Sequence, residues 1–214
     1  MVTMDLSAVE LRVAGALMEK QVTTPDLYPL TVNSLRSACN QTTNRYPVME
    51  LTETDINAAL LSLVDRKLTR IVYSTSNRAA KHRHTLDEAL RLEPSDQAVL
   101  TVLALRGAQT VGEIKTRTER MHPFADLREV EATLDSLAGR PDPLVIRLSR
   151  RPGQKEERYM HLLSGPIDES AYEDEPVSSP RMDRTAELQS RLDTLEARVA
   201  ELESVVDQLR TLLD

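Results

Sequence analysis

Apolar residues follow two rhythms along this chain, one of three and four positions and one of two, and the same succession of rhythms occurs twice. In the first pass Ser7 and Glu10 are spaced as a helix-capping box, and Leu6, Val9, Val13 and Leu17 then share one helical face. The prolines of VTTPDLYP interrupt the helix, and a second short helix is predicted from about Thr31 to Cys39 with Arg36 on its solvent side. A polar connection from Asn40 to Pro47 leads to a third helix, with Thr52 as N-cap and Ile56, Leu60, Leu63 and Val64 as its buried stripe. TRIVY then reads as a strand, STSNRAA as a turn and KHRHTL as the return strand.

The second pass repeats the plan. Ser95 is placed to cap its first helix and the Thr110/Glu113 capping box opens its second, while Leu127, Val130, Leu134 and Leu137 line its third. Strands LVIRLSR and EERYMHLL flank the turn RPGQK. The expected fold is therefore α+β, mainly helical with small β-hairpins: tandem winged-helix domains over residues 1–90 and 91–164. The aromatic content of 3%, with no Trp, favours helical cores of Leu, Val, Ile, Ala and Met over a β-sandwich.

Residues 165–183 open with GPIDESAYEDEPVSSP, whose Pro, Ser and acidic density predict a flexible linker. From 184 to 214 a heptad sets in, with Leu188, Leu195, Leu202 and Leu209 at d and Leu192, Val199, Val206 and Leu213 at a. Arg191 and Arg198 at g would face Glu196 and Glu203 at e of a parallel partner, so the segment reads as a homodimeric coiled coil of about 40 Å. The other reading is a helix that docks on its own domains.

The formal charge of −7 resides in the tail: residues 1–90 carry ten Lys/Arg against ten Asp/Glu, 91–164 twelve against eleven, and 165–214 five against thirteen. Near-neutral folded domains still concentrate charge locally, and both hairpins do so, through Arg78, Lys81 and Arg83 in one and Arg150, Arg151 and Lys155 in the other. A winged helix lays such a wing along a nucleic-acid backbone and places its third helix in the major groove. The third helices fit that role poorly, because Glu53, Asp55 and Asp65 in one and Asp126, Glu129, Glu131 and Asp135 in the other repel phosphate. Arg36, Asn40, Asn44 and Arg45, after the second helix, supply donors suited to phosphates and base edges, or alternatively terminate a helix and shape a turn.

Catalytic signals are missing. The six glycines are scattered, and HExxH, CxxC and GxSxG patterns do not occur. Cys39, in helical register with Val32 and Leu35, is expected in the core without redox chemistry. His82 and His84 share a strand face but have no completing ligands, so no metal or cofactor is expected, and they are read as exposed or phosphate-facing. No apolar run approaches the roughly 20 residues needed to cross a bilayer, and MVTMDLSAVE lacks a signal-like start; a cytoplasmic protein is expected.

Three runs, MEKQVTTPDLYPLTVNSLRSACNQTTNRYPVM, LALRGAQTVGEI and RLSRRPGQKEERYMHLLSG, resemble the YceH family of bacterial proteins. The resemblance spans both domains. It implies a tandem winged-helix fold and an expectation of DNA or partner binding, and it assigns no catalytic residue. Within its runs Glu19, Lys20, Gln21, Thr23, Thr24, Asn40, Gln41, Asn44 and Arg45 invite a functional reading in the first domain. Arg106, Gln109, Arg150, Glu157, Arg158 and Tyr159 do so in the second, although Gln109 and Thr110 also suit helix ends and Arg158 and Tyr159 suit hairpin packing. Together these readings describe a non-catalytic, dimeric, DNA-associated regulatory protein, with a protein-binding adaptor of the same architecture as the rival.

Overall fold

In the computed structural model residues 4–74, 77–150 and 156–167 are described, the side chains of 74 and 77–79 aside. About half of these residues are helical, and the strands form two antiparallel two-stranded hairpins, so the fold is α+β. Helix α1 (Ala8–Thr23) starts at the expected capping box: the Glu10 amide donates to Ser7 Oγ at 3.3 Å and the Ser7 amide to Glu10 Oε2 at 2.7 Å. Helix α2 (Val32–Cys39) follows the N-cap Thr31, and α3 (Glu53–Asp65) follows Thr52, with Ile56, Ala59, Leu60 and Leu63 buried. Val64, expected in that stripe, is exposed; the smaller Ala59 lies on the inward side instead.

Strands β1 (Thr69–Ser74) and β2 (Asn77–His84) form the first hairpin, with β2 beginning inside the stretch expected to be turn. The return strand stops at His84, and Leu86 opens a short helix, α4 (Leu86–Leu90), where continued strand was expected. Arg91, at φ 51°, closes that helix in the left-handed region. Helix α5 (Pro94–Arg106) is capped by Glu93, not Ser95, because Pro94 suits the first helical position, where no amide is needed.

Helices α6 (Val111–Thr118) and α7 (Leu127–Ala138) then lead to β3 (Val145–Leu148) and β4 (Arg158–His161). Thr110 and Glu113 form their capping box as expected. Val130, Leu134 and Leu137 are buried, whereas Leu127, in the first turn of α7, is exposed.

One hydrogen-bonding detail repeats. Leu30, just before α2, exchanges both backbone bonds with His82 of β2, and Gln109, just before α6, does the same with Tyr159 of β4. Each hairpin thereby gains a third, one-residue rung from the segment that starts the second helix of its own half.

The halves are also joined tightly. Helix α1 buries Arg12, Val13, Ala14, Gly15, Ala16, Leu17 and Met18, far more than a one-sided stripe, because α5 packs against it. A Cβ on Gly15 would lie 3.0 Å from Leu105 Cδ2 and 3.3 Å from Ala104 Cβ, so any larger residue there has to push these side chains back by a few tenths of an ångström. The Tyr46 amide donates to the Leu105 carbonyl at 2.8 Å, and the Leu6 amide to the Leu163 carbonyl at 3.0 Å. Buried Leu17, Leu35 and Leu63 from one half and Val99, Leu103 and Leu134 from the other belong to one continuous core.

Candidate nucleic-acid interface

The register of the first hairpin decides which of its side chains are available. Thr69 pairs with His84 and Ile71 with His82, so these four share one face, inward at Thr69, His82 and His84 and 40% exposed at Ile71; Arg70 pairs with Arg83 and Val72 with Lys81 on the outward one. His82 and His84 are therefore buried, at 6% and 0% exposure, and the expectation that they face solvent or phosphate is overturned. The His84 amide donates to Tyr28 Oη at 2.8 Å, and its ring Nε2 lies 2.7 Å from Gln21 Oε1. Burial drives the His84 ring below its usual pKa, as it does His82.

On the outward face Arg70 is exposed and Lys81 and Arg83 half-buried, with Arg83 also reaching Glu88 at 3.2 Å. Arg70 and Arg83 stand directly opposite one another, a like-charge pair that a polyanion would relieve. Arg78 lies on β2, and its side chain falls outside what is described. Sequence reasoning missed Arg70, although strand alternation places it on the face of Arg83, and it missed Tyr73, which is 79% exposed near the hairpin tip.

The residues after α2 carry two readings, donors for phosphates or base edges and formers of a helix end and turn, and most of them take internal partners as the second has it. Arg45 is the plainest case. Its side chain is fully enclosed, donating to Glu19 Oε2 at 2.6 Å, Gln41 Oε1 at 2.7 Å and the Ala38 carbonyl at 3.0 Å. Burial raises the Glu19 pKa, but the hydrogen bonds and charge of Arg45, with Lys20 beside it, outweigh that and hold the carboxyl below its ordinary value. Asn40 closes on Leu51, its Nδ2 donating to the carbonyl and its Oδ1 accepting from the amide, both at 2.8 Å. Asn44 takes a left-handed turn at φ 61° and accepts from Arg106 of α5, while Arg36 is half-buried on α2 with Asn33 as a partner at 3.2 Å.

Beneath this connection lies a residue that the sequence analysis does not single out. Arg12 is 2% exposed and donates to the carbonyls of Cys39 at 3.1 Å and Pro47 at 2.6 Å, at the two ends of the loop. The available signal was an arginine between Val9 and Val13 beside a helix face that has to meet a second helix. Cys39 is buried as expected, and burial pushes its thiol up to about 12, which removes thiolate chemistry at neutral pH.

Among its described residues, the second hairpin offers less free charge. Arg147 and Arg150 are both well exposed, and Glu157 pairs with each, at 3.6 Å from Arg150. Arg151 and Lys155 lie outside the described residues. Arg158 turns inward to the Ala108 carbonyl at 3.0 Å, and Gln109 Nε2 finishes α5 by donating to the Arg106 carbonyl at 3.2 Å. The dimer seam of Leu188, Leu192, Leu195, Val199, Leu202, Val206, Leu209 and Leu213 also lies outside the described residues.

On α3 and α7 the carboxylates are exposed as expected, but several have local tasks. Asp55 caps α3 through Thr52, and Asp126 caps α7 by accepting from the Glu129 amide at 3.0 Å. Between the acidic ends of α3, Leu61 is 73% exposed. No group of three or more His, Cys, Asp or Glu side chains among the described residues is arranged to hold a metal ion, and no helix among them is long and apolar enough to cross a membrane.

These features define a class: an α+β protein in which two three-helix modules, each ending in a hairpin, share a core. Residues 6–154 match the family described as "Protein of unknown function, DUF480". The chain is 48% identical to the UPF0502 protein YceH of Salmonella schwarzengrund over 210 residues, covering 96% of each chain. It is 47% identical, over the same length and coverage, to the UPF0502 protein YceH of Salmonella typhimurium. The chain belongs to the YceH family.

Proposed function

We propose that this is a non-catalytic, DNA-associated regulatory protein of tandem winged helices. The outward face of the first hairpin carries this reading: Arg70 opposite Arg83, with Lys81 further along the same face, is the arrangement expected where a strand follows a phosphate backbone. The repeated rung that each half adds to its hairpin supports a winged-helix module in both halves. Arg36 and the second hairpin provide further positive charge, and the heptad segment pairs two chains so that avidity supplements each weak interaction.

The test is fluorescence anisotropy of duplex DNA with full-length protein at two salt concentrations. Replacing Arg70, Lys81 and Arg83 with Ala should weaken binding similarly across sequences and lower the slope of log K against log salt by about one for each phosphate no longer neutralised. Unchanged affinity and slope reject the hairpin as the DNA-binding surface. Leu195→Asp with Leu202→Asp should convert a dimer to monomers in light scattering, and a wild-type protein already monomeric rejects the coiled coil.

One observation favours the second reading, a protein-binding adaptor. The solvent face of α3 presents Leu61 and Val64 between Glu53 and Asp65, a surface better matched to a protein than to DNA. Retention of no DNA at either salt concentration makes that reading the one to pursue.

A further inference from the structure

The end of α1, helix α4 and the start of α5 line an open cleft of about 250 Å³ that serves none of the roles above. Its polar wall is Gln21, Asp87 and Gln97, and its apolar wall includes Leu92, Ala98 and Met121. The volume equals about eight waters of liquid, the size of a small metabolite and below the usual drug-sized pocket.

The polar wall is tied to the first hairpin. Gln21 Oε1 accepts from Gln97 Nε2 at 2.8 Å and lies 2.7 Å from His84 Nε2. The ring's Nδ1 lies 3.5 Å from Asp87 Oδ1, and these two atoms are buried against each other. The Asp87 side chain keeps 26% exposure, and through that remaining surface it lines the cleft. Among the described residues lining the cleft Asp87 is the one that ionises, and the nearby Arg83 is engaged by Glu88.

We propose that this cleft binds a small organic cation, a primary ammonium ion carrying a short apolar chain. The ammonium group donates to the Asp87 carboxylate and the chain lies along Leu92, Ala98 and Met121. Because Gln21 and Asp87 come from the first half and Gln97 and Met121 from the second, such a ligand bridges the halves at a point one hydrogen bond from the first hairpin. The site stands on these residues and does not depend on DNA binding.

The experiment is an NMR titration of full-length protein with n-butylammonium, n-butanol and butyrate, following the Met121 methyl and the Gln97 side-chain amide. The expected result is saturable shifts of both signals with butylammonium and at least tenfold weaker binding of butanol and butyrate, a difference of about 1.4 kcal/mol. Asp87→Asn, checked for folding by circular dichroism, should weaken butylammonium by about tenfold or more. Absence of saturable shifts at these two residues, equal binding of the neutral or anionic probe, or full affinity in a folded Asp87→Asn protein overturns the proposal. Should Asp87→Asn fail to fold, the comparison of the three probes on the unaltered protein decides.

Discussion

The two halves of this protein follow one plan and hold it together by different means. In each, a residue before the second helix adds a rung to the hairpin, Leu30 to His82 in the first and Gln109 to Tyr159 in the second. The connections between second and third helices differ. Residues 40–51 are held by polar staples, Arg12 to Cys39 and Pro47, Arg45 to Glu19 and Ala38, and Asn40 to Leu51. Residues 119–126 are anchored by buried Phe124, whose ring meets His122 edge-on at 4.6 Å. The longer connection has more backbone carbonyls to satisfy inside the protein, and an arginine fork satisfies several at once. The contrast teaches that cationic residues in this chain divide between staples and surface, and that only burial tells them apart.

The largest effects should come from removing each anchor. Arg12→Leu and Phe124→Ala should each cost about 3–5 kcal/mol, the first by orphaning two buried carbonyls and the second by leaving a cavity. Urea unfolding measures both. Hydrogen exchange sharpens the contrast, since Arg12→Leu should speed exchange in 40–51 first and Phe124→Ala in 119–126 first; equal spread over both loops would show that they open together.

Acid should find the buried histidines next. Burial pushes His161 down to about 4 from its usual 6.5, so the unfolded chain binds the proton more readily between those values. Stability from this group is complete above about pH 6.5 and falls as pH drops towards 4, by up to about 3 kcal/mol. Urea midpoints at neutral and acid pH should diverge less in His161→Phe than in the wild type. An unchanged divergence would assign the acid sensitivity to His82 and His84 of the first half.

Glu19→Gln keeps the shape of the staple while removing the charge opposite enclosed Arg45, for an expected loss of about 2 kcal/mol in chemical denaturation. The smallest effect probes the seam between halves. Gly15→Ala gains about 1 kcal/mol of helix propensity, but its methyl meets Leu105 at 3.0 Å, so a net loss of about 1 kcal/mol is expected in thermal unfolding. A gain would show that α1 and α5 can separate slightly without penalty.

Much of the architecture was legible because it rests on local physics. Helix caps at Ser7, Thr52 and Thr110 act within one helical turn, and they appear where the sequence places them. Ser95 shows the limit of this kind of reading, because Pro94 next to Glu93 moved the helix start. The interface was less legible. Arg36 and Arg45 look alike in sequence, yet one lies at the surface of α2 and the other is enclosed, since the difference depends on Glu19 approaching from another helix.

Periodicity, capping and shared runs, all written along the chain, were enough for the order of the six longer helices and the two hairpins, the burial of Cys39 and membership of the family, though not for the short helix α4. Only the tertiary structure decided that α1 and α5 join the halves into one core, that His82 and His84 face inward, and that Arg12 and Arg45 are staples while Arg70 is surface. Those outcomes depend on distant segments meeting. Burial of a charge or an imidazole is settled by the partners the fold brings to it.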